Sequence, residues 1–133
     1  ESGPAVAVSG GRERILLVED EELVRRVVQR TLSEHGYDVV TAADGQQAVQ
    51  LVRHDTQTID LLLTDLVMPH MNGRELAETM MQLRPETSIL FMSGYVENVL
   101  TPEDSDSLSV LAKPFSTAEL LERVRGTLDA ASG

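Results

Sequence analysis

Short apolar segments alternate with amphipathic ones along most of this chain. Residues 15–18 are all apolar, and comparable strand-like segments recur at residues 39–41, 59–64, 89–92 and 110–112. Short, wholly apolar segments are typical of strands buried on both faces of a sheet. Between them, apolar residues recur every three or four positions, as on one face of a helix. A strand followed by a helix, about five times, predicts an α/β fold with a parallel sheet covered on both faces.

Capping residues delimit the predicted helices. Gly36 is expected to end the first helix as a C′ glycine. Asp44, Asn72 and Ser116 each stand three residues before a Gln or Glu, which is the spacing of a capping box. Residues 95–109 contain Pro102 and many acids and serines, so any helix there is expected to be short or irregular. The predicted inward positions are Leu23, Val24, Val27, Val28, Thr31 and Leu32; Ala48, Val49 and Val52; Leu76, Ala77 and Met80; and Leu120, Leu121, Val124 and Leu128.

The length of 133 residues fits one domain. Residues 1–13 are rich in glycine, serine and other small residues, so we interpret them as a flexible tail or linker. The folded domain is predicted to span residues 14–129, and residues 130–133 are predicted to form a C-terminal tail. The linker-like start favours a larger parent protein with further sequence upstream.

Composition excludes several classes of function. The chain has no cysteine, which excludes disulfides, thiolate metal sites and cysteine catalysis. A net charge of −11 disfavours direct binding of nucleic acid, because phosphate backbones attract clustered Lys and Arg. No apolar segment approaches the roughly 18–20 residues of a membrane span, and the start lacks a secretion signal. We therefore expect a soluble, cytoplasmic chain that makes no direct membrane contact.

Polar side chains follow four of the predicted strands. Glu19 and Asp20 follow the first strand, Asp65 the third, Ser93 the fourth and Lys113 the fifth. Ligands of open parallel sheets bind beyond the carboxyl ends of the strands, where the strand order reverses. Carboxylates gathered there repel one another unless a cation neutralises them. An all-oxygen set with room for water favours Mg²⁺.

Each of these residues, taken alone, also has a simpler interpretation. Glu19 or Asp20 could be solvated or cap the first helix, where acids are favourable against the helix dipole. Ser93 could belong to an ordinary turn, and Lys113 could lie on the surface. Asp65 fits such an interpretation less well, because it follows an apolar strand and precedes the poorly solvated residues 66–69. The case for a site rests on all five residues falling at strand ends.

Four segments together carry a family resemblance. They are ILLVEDEE (15–22), LLLTDLVMPHMNGRE (61–75), ILFMSGY (89–95) and LAKPF (111–115). In this order they resemble the receiver domain of two-component response regulators, especially the receivers of hybrid histidine kinases. The similarity runs from about Arg14 to Leu128. It implies a flavodoxin-like, doubly wound (βα)5 fold with a five-stranded parallel sheet in the order 2-1-3-4-5.

The resemblance also implies a role for each site residue. Asp65 matches the phosphoacceptor, and Glu19 and Asp20 match the acidic pair that binds Mg²⁺ together with Asp65. Ser93 matches the hydroxyl that bonds to the phosphoryl group. Lys113 matches the lysine that pairs with the acceptor, and the bond between Lys113 and Pro114 is expected to be cis.

The implied function is a phosphorylation-dependent signalling switch. The donor would be a phosphohistidine on a histidine kinase or a histidine phosphotransfer domain, and a homodimer is left open. The isolated domain would not be an enzyme in the ordinary sense, although it would catalyse its own phosphorylation and slow dephosphorylation. The chain could be a stand-alone regulator or part of a hybrid kinase, which could tether it to a membrane.

The sequence departs from the family pattern in several places. Glu19 stands where many receivers have aspartate, and Val110 replaces a common aromatic residue. The segment between Ser93 and Lys113 is short for the family, so its helix is expected to be truncated. Val67 and Tyr95, each two residues beyond a site residue, are predicted to slow loss of the phosphoryl group by bordering the path of the attacking water.

Two competing functions use the same fold. A pseudo-receiver would bind proteins without being phosphorylated, and the intact set of acceptor, acids, hydroxyl and lysine argues against it. A Mg²⁺-dependent phosphohydrolase would commonly need a second acid or base near the nucleophile and a cap domain for the substrate. Val67 occupies the position two beyond Asp65, and no insertion is long enough for a cap.

Overall fold

The computed structural model describes residues 10–94 and 110–132, which form one five-stranded parallel sheet flanked by four helices. In chain order the strands are β1 Arg14–Val18, β2 Asp38–Ala42, β3 Leu61–Asp65, β4 Ser88–Ser93 and β5 Val110–Ala112. The sheet order is β2-β1-β3-β4-β5, and every neighbouring pair is parallel. The doubly wound fold and the strand order 2-1-3-4-5 are thereby confirmed.

The four described helices cover both faces of the sheet. They are α1 Glu22–Glu34, α2 Gly45–His54, α3 Gly73–Leu83 and α4 Thr117–Ser132. Alternate residues of β1 point to opposite faces. Ile15 and Leu17 belong to the core under α1 and α4, whereas Leu16 and Val18 belong to the core under α2 and α3. Burial on both faces explains why the strands are wholly apolar in sequence.

Most of the capping residues predicted at the helix ends are found in the structure. Asn72 and Glu75 form a complete capping box at α3, and Ser116 and Glu119 exchange the same two bonds at α4. At α2 the Asp44 carboxylate accepts from the Gln47 backbone N–H, while the Gln47 side chain accepts from the Ala43 N–H instead of that of Asp44. Gly36 follows the C-cap of α1 with φ of 98°, a conformation that glycine tolerates best.

One part of the predicted core is wrong. Leu23 and Val27 of α1 are 76% and 64% exposed, whereas Val28 and Leu32 are buried. The apolar stripe of α1 is wider than the strip of helix that touches the sheet, so its outer residues remain in solvent. The predicted inward residues of α3 and of α4 are all buried.

At both ends of the chain, the structured residues extend beyond the domain boundaries predicted from the sequence. Helix α4 continues to Ser132, past the domain end predicted at residue 129. The backbone N–H of Gly11 donates to the His35 carbonyl, so this part of the predicted linker lies against α1. The predicted truncated helix falls in residues 95–109, outside the described residues. No helix in the described ranges is long and apolar enough to cross a lipid bilayer.

Candidate functional site

The strand register brings the predicted site residues to one edge of the sheet. Val18 pairs with Thr64, so Glu19 and Asp65 each come next on neighbouring strands β1 and β3. Asp65 is the last residue of β3 and pairs with Met92, next to Ser93 at the end of β4. Ser93 in turn pairs with Ala112, which precedes Lys113. The carboxyl ends of four strands therefore meet where residues far apart in sequence carry their polar groups.

Three carboxylates converge at this edge. One carboxylate oxygen from each of Glu19, Asp20 and Asp65 lies within 4.8 Å of the others. Glu19 is fully buried and Asp65 is 4% exposed, whereas Asp20 is exposed. Three hard oxygen ligands with one side open to solvent fit a small divalent cation that keeps several of its waters, as Mg²⁺ does. The donor set therefore fits the metal that the sequence predicted.

The alternative role for Asp20, capping the first helix, is not what the structure has. Helix α1 begins at Glu22, so its N-cap residue is Glu21, and the Glu21 side chain makes no capping hydrogen bond. The Glu21 backbone N–H instead donates to Glu19 Oε2 at 3.1 Å. The β1–α1 turn thus directs a backbone donor toward the buried carboxylate.

Lys113 links two of the acids. Its Nζ lies 2.7 Å from Glu19 Oε1 and 2.6 Å from Asp65 Oδ1. The backbone N–H of Lys113 donates to the Ser93 carbonyl at 2.9 Å, which ties the lysine to the end of β4. The peptide bond between Lys113 and Pro114 is cis, as predicted. Lys113 is also the only lysine in the sequence, so the one ammonium side chain is used here.

The close contact of these groups shifts their protonation. Burial raises the pKa of Asp65 to about 8, with the negative Glu19 acting in the same direction and Lys113 opposing both. Burial also raises the pKa of Glu19, but hydrogen bonds with Asp65, Lys113 and the Glu21 N–H outweigh it, so that pKa lies below its ordinary value. Burial alone would lower the pKa of Lys113, whereas its bonds to Asp65 and Glu19 raise it. The ammonium of Lys113 therefore offsets negative charge on both buried acids.

A cavity of about 380 Å³ opens beside Asp65. Its other lining residues are Asp20, Glu21, Val67, Met92, Ser93, Gly94 and Lys113. Ser93, which is 4% exposed, thus shares one cavity with the predicted acceptor and the lysine. This cavity can admit a small anionic group between an acid, a hydroxyl and an ammonium.

Several supporting residues were missed at the level of sequence. Arg25 of α1 donates to the Glu19 carbonyl at 2.9 Å, and Thr64 donates its hydroxyl to the Asp65 carbonyl at 3.0 Å. Glu21 lies in the acidic segment that the sequence singled out, so its proximity could have been expected. Nothing in the pattern pointed to Arg25, because its contact is to the main chain. Tyr95, predicted to flank the site, lies outside the described residues.

Comparison with known proteins places this chain among relatives of one family. The family model of the response regulator receiver domain matches residues 15–125. The response regulator receiver protein CpdR of Brucella abortus (strain 2308) is 38% identical over 122 residues, covering 90% of this chain and 99% of that protein. The sensor kinase CckA of the same organism is 34% identical over 122 residues, but the match covers only 13% of its length.

Solved structures give the same result. The receiver domain of the hybrid histidine kinase CckA has a TM-score of 0.74 at 36% identity, covering 86% of this chain and 98% of that domain. The chemotaxis protein CheY4 of Vibrio cholerae has a TM-score of 0.75 at 29% identity, covering 88% of this chain and 99% of that chain.

Proposed function

The chain belongs to the response regulator receiver domains of two-component signalling, and we propose that it takes a phosphoryl group onto Asp65. The observation that carries the proposal is the placement of the Asp65 carboxylate. It lies at the end of a buried strand, beside a cavity and 2.6 Å from the ammonium of Lys113. Two further acids lie close enough to share a cation with it.

In the proposed reaction a carboxylate oxygen of Asp65 attacks phosphorus and an acyl phosphate forms. The P–N bond of a phosphohistidine breaks, and its electron pair leaves with the imidazole nitrogen. Lys113, already at the Asp65 carboxylate, offsets charge on the transferred group, and Ser93 donates its hydroxyl to a phosphoryl oxygen. Burial raises the pKa of Asp65, whereas Lys113 opposes this shift and favours the carboxylate, which is the reactive nucleophile.

Glu19, Asp20 and Asp65 are the residues that would hold Mg²⁺. The bound cation would supply positive charge against the phosphoryl oxygens. Of the three acids, Asp20 is the exposed one and therefore the natural point of entry from solvent. Glu19 is fully buried and already bonded through both oxygens, to Lys113 and to the Glu21 N–H. Besides its share in holding the cation, Glu19 fixes the position of Lys113 through its Oε1 contact with Nζ.

Phosphorylation would turn this edge of the sheet into a switch. The new group adds negative charge and acceptor oxygens where Ser93 and Lys113 can bond to them. Ser93 ends β4 and its carbonyl accepts from the Lys113 backbone N–H, so movement of either residue is transmitted to β5. We propose that this shifts the population between two arrangements of the surface around β5.

An apolar surface beside the site fits a helical phosphodonor. Leu23 and Val27, one turn apart on α1, are mostly exposed. They line a cavity of about 510 Å³ whose other residues are Val24, Val28, Lys113, Pro114 and Phe115. Because Lys113 lines both this cavity and the Asp65 cavity, a partner docked here would lie next to the acceptor. We propose a histidine kinase or a histidine phosphotransfer domain as the partner, acting in the cytoplasm.

The parent protein is part of the proposal as well. The chain covers nearly all of a receiver protein and a small fraction of a sensor kinase. Both a stand-alone regulator and the receiver of a hybrid kinase fit these relatives. In either case the isolated domain would catalyse only its own phosphorylation and the slow loss of the phosphoryl group.

Intact-mass spectrometry after incubation with Mg²⁺ and acetyl phosphate tests the proposal, with Asp65→Asn as the control. We expect the wild type alone to gain the mass of one phosphoryl group, and chelation of Mg²⁺ to suppress the gain. A wild type that stays unmodified while a known receiver is phosphorylated in parallel would favour a pseudo-receiver. Steady turnover of free phosphomonoesters would instead indicate a phosphohydrolase.

A further inference from the structure

We infer that Gly73 is a positioning residue for Asp65, an inference that rests on the proposed function. Gly73 is the first residue of α3 and is buried. Its N–H donates to the Leu66 carbonyl at 2.8 Å. A Cβ atom added at Gly73 would overlap the carbonyl oxygen of Asp65 and lie 3.0 Å from the carbonyl carbon of that residue. Helix α3 therefore begins directly against the main chain of the acceptor.

The missing side chain, and not backbone freedom, explains why glycine is needed here. Among the glycines that the structure describes, Gly36 is the one with a positive φ, so the conformation of Gly73 is open to other residues. The three atoms nearest to an added Cβ are all backbone atoms, from Asp65 and Leu66. Backbone atoms cannot rotate aside as a side chain can, so any side chain at residue 73 must move the helix or the acceptor.

The loop between β3 and α3 is closed tightly, which leaves little slack to absorb such a shift. His70 has φ of 70°, and the Met71 N–H donates to the Pro69 carbonyl at 2.7 Å, a three-residue turn. The complete capping box of Asn72 and Glu75 then fixes the first turn of α3. The helix is thus held in place on the side that faces Asp65.

Hydrogen bonds also fix the main chain of Asp65 and Leu66 on the sides that do not face Gly73. The Thr64 hydroxyl donates to the Asp65 carbonyl at 3.0 Å, and the Leu66 N–H donates to the Met92 carbonyl of β4 at 3.0 Å. A displaced Asp65 would lose its short contact with Lys113. Misplacing a reacting group by about 1 Å can cost about a hundredfold in rate. Gly73 therefore acts on phosphorylation through Asp65 and touches no reacting atom itself.

Gly45 provides a matched control. It is the first residue of α2, directly after the capping residue Asp44, just as Gly73 follows Asn72. Replacing either glycine with alanine changes helix propensity equally. The three atoms nearest to a Cβ added at Gly45, however, all belong to the side chain of Met71: the sulfur at 2.7 Å, Cγ at 3.0 Å and Cβ at 3.1 Å. The sulfur can rotate away and the Cγ and Cβ contacts need a shift of only a few tenths of an ångström, so Gly45→Ala keeps the helix change and omits the clash with the backbone of the acceptor.

The experiment compares phosphorylation by acetyl phosphate in the wild type, Gly73→Ala and Gly45→Ala. The maximal rate and the half-saturating acetyl phosphate concentration are measured separately, with Mg²⁺ affinity by calorimetry and folding by circular dichroism. We expect Gly73→Ala to lower the maximal rate by 10- to 100-fold and weaken Mg²⁺ binding, and Gly45→Ala to stay within twofold of the wild type. A loss of stability alone would not lower the maximal rate of fully folded protein.

Failure of the proposed function and failure of the inference about Gly73 give different results. A wild type that accepts no phosphoryl group would refute the proposed function. A phosphorylated wild type and a folded Gly73→Ala variant of equal maximal rate would overturn the inference about Gly73. If Gly73→Ala does not fold, Thr64→Val acts on the same Asp65 carbonyl without adding bulk. A several-fold slower maximal rate in folded Thr64→Val would then support the inference, and an unchanged rate would overturn it.

Discussion

The Nζ atom of Lys113 lies between Glu19 Oε1 and Asp65 Oδ1, at 2.7 Å and 2.6 Å. Lys113 and Glu19 are 94 residues apart in sequence, so the contact depends on the pairing of distant strands. Both acids are buried, and the only lysine of the chain supplies their positive partner. The same ammonium therefore offsets negative charge on both acids and lies beside the position proposed for the phosphoryl group.

Replacing Lys113 with methionine should make stability depend strongly on Mg²⁺. Without the ammonium, the buried acids Glu19 and Asp65 lose their positive partner, so we expect the free energy of unfolding in chelator to fall by about 3 kcal/mol. Added Mg²⁺ should narrow this deficit, because it neutralises the same acids. Urea denaturation with and without Mg²⁺ measures both effects, and Lys113→Arg, which keeps the charge, is the control. An equal deficit in both conditions would contradict the prediction.

Replacing Leu23 with glutamate should impair transfer from a protein donor selectively. The substitution puts a charge into the apolar surface of α1 beside Lys113. We expect at least a tenfold lower rate of transfer from a cognate phosphorylated histidine kinase or phosphotransfer domain, and little change with acetyl phosphate, which needs no docking. Met81→Glu is the matched control, because Met81 is 60% exposed on α3 and does not line this cavity. Equal losses in both variants would argue against docking at α1.

Small polar residues at positions 67 and 95 should shorten the life of the phosphorylated form. Val67 is 56% exposed and lines the Asp65 cavity. We expect its methyl groups to restrict the approach of water to a phosphoryl group on Asp65. We expect Val67→Ser combined with Tyr95→Ser to speed loss of the phosphoryl group several-fold, followed by intact mass over time. Val27→Ser, at another exposed valine, is the control. A decay rate equal to that of the wild type would contradict the prediction that Val67 and Tyr95 shield the phosphoryl group from water.

The ion pair between Glu13 and Arg125 should contribute to stability at neutral pH but not in strong acid. Arg125 bonds to both oxygens of Glu13, chiefly through hydrogen bonds that lower the pKa of Glu13 from 4.5 to about 2. Because the pKa is lowered on folding, its contribution is complete above pH 4.5 and is lost as the pH falls toward 2. The full shift corresponds to about 3 kcal/mol, and solvent screening of this partly exposed pair reduces it to about 1–2 kcal/mol.

Glu13→Gln tests this pair. Its free energy of unfolding should lie about 1–2 kcal/mol below that of the wild type at pH 7, with the gap closing between pH 4.5 and 2. Glu34→Gln is the control, because Glu34 pairs with Arg30 on an exposed face of α1 and should have little effect. A gap for Glu13→Gln that stays constant with pH would show that lost packing, and not charge, causes the difference.

Sequence patterns predicted the helix caps well, because a cap depends only on residues that are close together in the chain. The capping boxes at Asn72 and Ser116 involve neighbours three residues apart, so sequence spacing alone identifies them. The inward face of α3 was predicted for the same reason. The exposed Leu23 and Val27 were mispredicted because helical periodicity gives the width of an apolar stripe. It does not give the angle at which the helix rests on its sheet.

The candidate site likewise has features that the sequence predicts and features that only the structure shows. The sequence alone places five polar residues at the ends of strands, because short apolar strands end where polar residues begin. These residues are Glu19, Asp20, Asp65, Ser93 and Lys113. The sequence also carried the family resemblance and with it the expected strand order. It did not show that Glu19 is fully buried and bonded to Lys113, that Arg25 holds its carbonyl, or that Gly73 abuts Asp65.

By itself, the sequence determined which segments are strands and helices and which polar residues end them, since these depend on hydrophobic periodicity and on neighbours within one turn. Tertiary structure alone decided the distances among acids and lysine, because they depend on the register of β1, β3, β4 and β5. It also decided the raised pKa of Asp65, because removal from water and the charges of Glu19 and Lys113 act only after the strands have assembled.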